Sequence, residues 1–61
     1  MTFTAEEKKS CAQRELRMRE RVYPRWVSID RMTDEQAARE LALMAEIVED
    51  YRAIAEKERL I

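Results

Sequence analysis

The chain contains no glycine, no histidine, one cysteine and one proline. Phosphate-cradling loops, dinucleotide fingerprints and two-residue hairpin turns are therefore excluded, because each needs a residue free to take positive φ or to let a ligand approach the backbone. A lone cysteine makes no internal disulfide, and without histidine the usual zinc ligand sets cannot be assembled. No imidazole exists to activate Cys11 as a nucleophile. Apolar runs are short as well. The longest is Leu41 to Ala45, whereas a membrane span needs about 18 or more such residues. Met1-Thr2-Phe3-Thr4 passes directly into Ala5-Glu6-Glu7-Lys8-Lys9, so no secretory signal and a soluble, cytoplasmic product are expected. No catalytic, metal or cofactor residues are expected, nor a small-molecule substrate.

What is present is 61 residues, 46% hydrophobic and 41% charged. A chain this short buries only about 60% of its unfolded surface, and without a disulfide or metal the remaining burial has to come from self-association or a partner. Two segments read as helices, each opened by a capping box. Thr4 with Glu7 starts the first near Ala5, and Thr33 with Gln36 starts the second near Asp34. No proline follows Thr33, and Ala, Leu, Glu, Arg, Met and Ile carry the second helix to Leu60. The first helix either stops near Val22 or continues, kinked at Pro24, to about Ile29. Val22, Tyr23, Trp26, Val27 and Ile29 keep helical spacing across the proline, which favours the kinked continuation. The connection Asp30-Arg31-Met32 then forces an antiparallel hairpin, a single all-α domain spanning 1–61.

Each helix carries two apolar lines. In the second they are Ala37, Leu41, Met44, Val48, Tyr51 and Ala55, and beside it Leu43, Ile47, Ile54 and Ile61. In the first they are Ala5, Ala12, Leu16, Tyr23 and Val27, and Cys11, Met18, Val22 and Ile29. Such arcs are wider than one neighbouring helix can cover. A homodimer of hairpins closing into a four-helix bundle satisfies both, with Leu16, Val22, Leu41, Met44, Ile47, Val48, Tyr51 and Ile54 as core and dimer residues. The alternative is a monomeric hairpin that offers a groove to a partner. Cys11, on an apolar line beside an alanine, reads as a small core residue. Glu15 with Arg19 reads as a buried ion pair that fixes register across the dimer.

The net charge of −1 conceals an asymmetry. From Lys8 to Arg31 there are eight basic residues against Glu15, Glu20 and Asp30, and from Asp34 onward eight acidic residues against Arg39, Arg52, Lys57 and Arg59. Arg14, Arg17, Arg21 and Arg25 line one outer face of the first helix, either as a phosphate-tracking stripe or as a solvated face. The acidic overall balance speaks against nucleic acid as a partner. Glu46, Glu49, Asp50 and Glu56 lie on the outer side of the second helix, either for plain solubility or, with Glu46, Glu49 and Asp50 foremost, to suit a basic protein partner. Tyr23, Arg25 and Trp26, residue types frequent at binding hot spots, gather at Pro24 and either contact a partner or plug the end of the bundle.

Gln13-Arg14-Glu15-Leu16-Arg17-Met18-Arg19, Arg21 to Val27, Arg31-Met32-Thr33 and Glu46 to Tyr51 resemble small helical proteins carried by proteobacterial phages and prophages. In size, architecture and charge the chain is also similar to the quorum-sensing anti-activators of transposable phages. These resemblances imply a non-enzymatic protein acting in the cytoplasm of a bacterial host, where it binds and inhibits or redirects a host protein such as the DNA-binding domain of a LuxR-type transcription regulator. A nucleic-acid accessory protein and a structural phage component are the alternatives.

Overall fold

The computed structural model describes residues 2–60, and it is an all-helical hairpin of α1 (Ala5–Ser28) and α2 (Asp34–Arg59) packed against each other. Both helices begin where the capping residues place them. Thr4 N donates to Glu7 Oε1 at 3.0 Å and Glu7 N to Thr4 Oγ1 at 3.1 Å, and Thr33 and Gln36 repeat the exchange at 3.0 Å in each direction. The Thr4 amide holds the Glu7 carboxyl below the usual carboxylate range. Its contribution is therefore present at neutral pH and fades as acid protonates the group, whereas the cap on α2 uses an amide and does not titrate.

α1 passes through Pro24 without a break. It ends at Ser28, one residue before the expected Ile29, which serves as C-cap, and α2 ends at Arg59 with Leu60 as its cap. Asp30 N donates to Val27 O at 3.1 Å and Arg31 N to Trp26 O at 2.9 Å. This is the Schellman closure, and it places Asp30 in the left-handed region at φ 58°. Glycine is the residue such a position favours, and the chain has none. Asp30→Gly is expected to stabilise the hairpin by about 1 kcal/mol, raising the far-UV CD melting temperature by roughly 4–8 °C. An unchanged or lower melting temperature would refute strain at this turn.

Of the two apolar lines on each helix, the one richer in alanine faces inward. The buried residues are Ala5, Ala12 and Tyr23 of α1 and Ala37, Met44, Val48 and Ala55 of α2. Four of these seven are alanines, and among the described residues no large side chain is fully enclosed. Small residues let the helices approach closely, but they remove little apolar surface from water. Leu16 packs partly buried against Ala12, Met44 and Val48, and Leu41 and Tyr51 are half-buried. The radius of gyration is 14.1 Å, within extents of 47 × 19 × 17 Å. A compact domain of this length has about 10.5 Å. The hairpin is a rod, and a rod two helices wide has little interior.

Candidate functional site

The second apolar line of each helix stays outside. Leu43, Ile47 and Ile54 of α2 are 43%, 40% and 45% exposed, Met18 of α1 and its C-cap Ile29 are exposed with them, and Val22 is half-buried. Ile61, assigned to the same line, lies outside the described residues. Because the helices run antiparallel with their alanine-rich lines facing, the two outer lines turn to the same side of the rod. They join at a groove of about 760 Å³ near the open end of the hairpin, where Phe3, Cys11 and Ile47 meet Met44 and Tyr51. Ile47 and Ile54, expected as core and dimer residues, are thus outside the core of the single hairpin. So is Cys11, whose thiol is exposed. The reading of Cys11 as a core residue is corrected: it belongs to the line of Met18 and Val22, which α2 does not cover.

Charged side chains mark this side of the rod. Arg19 Nε donates to Glu15 Oε1 at 2.9 Å, and Arg19 Nη1 lies 3.9 Å from Glu40 Oε2 on α2. The Glu15 carboxylate makes Arg19 hold its proton more tightly than usual. Arg19 thus links the two helices of one hairpin, and its pair with Glu15, expected to be buried, is partly exposed. The Lys8 ammonium also crosses to α2, 5.6 Å from the centroid of the Tyr51 ring. Arg19 with Glu40 is the only ion pair between α1 and α2 among the described residues.

The opposite charges of the two helices are therefore largely unpaired within one chain. Arg14, Arg17, Arg21 and Arg25 are all exposed and join no ion pair among the described residues. On α2, Arg52 clasps Glu49 and Glu56, with Nε 3.1 Å from Glu49 Oε2 and Nη1 3.1 Å from Glu56 Oε2. The hydrogen bond from Arg52 holds the Glu49 carboxyl below its ordinary pKa. Of the three acidic residues assigned to partner binding, Glu46 and Asp50 remain exposed and unpaired, while Glu49 is already engaged.

At the loop end the aromatic pair divides. Tyr23 is 8% exposed, its ring in the seam between the helices. Trp26 is half-buried against it, with ring centroids 5.6 Å apart and planes tilted by 32°. The assignment of Tyr23 to partner contact is corrected, since a ring enclosed between α1 and α2 has no free face to offer. Arg25 is exposed beside Pro24, and Trp26 keeps part of its surface in solvent. No cluster of metal-binding side chains occurs among the described residues, and no helix is long and apolar enough to cross a membrane. Comparisons with protein-family models, curated proteins and solved structures return no match to this chain.

Proposed function

We propose that the protein is a non-enzymatic protein-binding module that works as a homodimer. Two hairpins close into a four-helix bundle, and the outer surface of the bundle meets a host protein. The observation that supports this is the uncovered apolar side bearing Met18, Leu43, Ile47 and Ile54. Monomeric proteins rarely leave such a stripe in water, and this hairpin has an alanine-rich core that needs further burial. The stripe runs along a rod 47 Å long and 19 Å wide, enough to supply the roughly 800 Å² per partner of a standard interface.

Once that side is covered, the groups left to a second protein are Asp50 on α2, and Arg25 and Trp26 at the loop end. Unpaired carboxylates suit a basic surface. The resemblance to phage anti-activators makes the DNA-binding domain of a LuxR-type regulator the first partner to test. Light scattering across a dilution series is expected to give a particle of twice 7.3 kDa that dissociates on dilution, and a constant 7.3 kDa species rejects the dimer. Titration of the purified regulator domain is expected to show binding that D50K weakens at least about tenfold, with unchanged helical CD. Equal binding by the variant removes that surface from the proposal. The four unpaired arginines favour a second reading, in which α1 tracks phosphates. Salt-sensitive retention of duplex DNA, lost in R17A/R21A, would establish that reading instead.

A further inference from the structure

We infer that the two copies pair with their long axes in the same sense, α1 of one against α2 of the other, so that both loop ends lie at one end of the bundle. This rests on the self-association proposed above and concerns the geometry of that dimer. Two hairpins joined through one apolar side have two symmetric solutions. A two-fold along the rod places α1 beside the partner's α2, whereas a two-fold across the rod places like helices side by side, with the loops at opposite ends.

Charge separates them. α1 carries seven basic and four acidic residues, and α2 eight acidic and four basic, with only Arg19 and Glu40 paired between them inside one chain. Pairing like helices sets a net basic helix on its copy and a net acidic helix on its copy; pairing unlike helices brings complementary potentials together.

The register agrees. Arg19 beside Glu40 and Lys8 over Tyr51 fix which residues of α1 and α2 share a level. A two-fold along the rod keeps every residue at its own level, so those same pairings locate the residues that meet across the dimer. On the outer flank of the apolar side, helical spacing places Arg14 on α1 and, at its height on α2, Glu46. Arg14 thus stands opposite Glu46 of the second copy. Arg14 and Glu7 already line the groove with Ile47. The arrangement also brings two copies of the Arg25 and Trp26 surface to one end, where a single partner can touch both.

Double electron–electron resonance on R31C in a C11S background tests the geometry. Spin labels at the two loops are expected at a distance set by the width of the bundle, on the scale of the 19 Å extent of each hairpin, and a distance approaching the 47 Å length overturns the inference. An absence of dipolar coupling together with a 7.3 kDa mass overturns the dimer itself. A measurement independent of labelling uses charge reversal. R14E and E46K are each expected to weaken dimerisation about tenfold, and the two combined in one chain to return it to within about threefold of the parent. Pairing of like helices predicts no loss in either single variant, because like charge faces like charge in the parent and still does after reversal. Single variants that dimerise as tightly as the parent, or a combined variant weaker than either of them, overturn the inference.

Discussion

L43E/I47E is expected to abolish dimerisation, raising the dissociation constant by at least about 1,000-fold, or about 4 kcal/mol. Each chain loses two aliphatic side chains, worth about 1.5–3 kcal/mol apiece on full burial, and each loss is counted twice in a symmetric dimer. The new carboxylates also enter an apolar layer, where desolvation disfavours their charge. Helicity is expected to fall with association, because the hairpin left behind has four alanines among its seven buried residues. Ala42→Glu is the control. It adds the same charge to α2 at an exposed position facing away from the apolar side, and it is expected to leave the dissociation constant within about threefold of the parent. Sedimentation equilibrium on the three proteins decides the matter. An unchanged dimer in L43E/I47E would place the interface on another surface, and loss in both variants would mean that charge on α2, not the apolar side, controls assembly.

The same residues show what could be read before any coordinates. Thr4 with Glu7 and Thr33 with Gln36 announce the helix starts because a capping box is a local exchange between residues three apart. The division of each helix into two apolar lines follows from periodicity alone. Which line turns inward does not, since both lines on each helix are spaced equally well. A signal was available: Ala5, Ala12, Ala37 and Ala55 all fall on the inner lines, and small residues mark the faces along which two helices can come close. Cys11 was misplaced by its alanine neighbour, although its heptad partner Met18 belongs to the outer line. The left-handed Asp30 left no trace, because the residue that normally signals such a turn is missing from the chain. The intrachain role of Arg19 is equally hidden. Its i−4 partner Glu15 is visible in the sequence, but Glu40 becomes a neighbour only once the register of the hairpin is set.

Pro24→Ala is expected to stabilise the protein by about 2 kcal/mol and to raise its melting temperature by roughly 10 °C. Proline inside a helix has no N–H to donate to the carbonyl of the residue four back, here Glu20, and its ring crowds that carbonyl, at about 3 kcal/mol relative to alanine. Part of this is returned by the unfolded state. Proline restricts the unfolded chain, and removing it restores about 0.4–1 kcal/mol of entropy to that ensemble, which leaves the smaller net gain. Little packing is lost in exchange, since Pro24 is exposed on a part of α1 that neither α2 nor the apolar side touches. For the same reason the gain is expected in the stability of the hairpin and not in its association. Melts followed by far-UV CD at several protein concentrations separate the two: the substitution should shift every curve upward by a similar amount and leave the dependence on concentration unchanged. A steeper or shallower dependence would show that the proline shapes the dimer face through the path of α1. No shift at all would mean that the chain bends enough at Pro24 to relieve the clash, and that the alanine regains only a hydrogen bond already replaced by water.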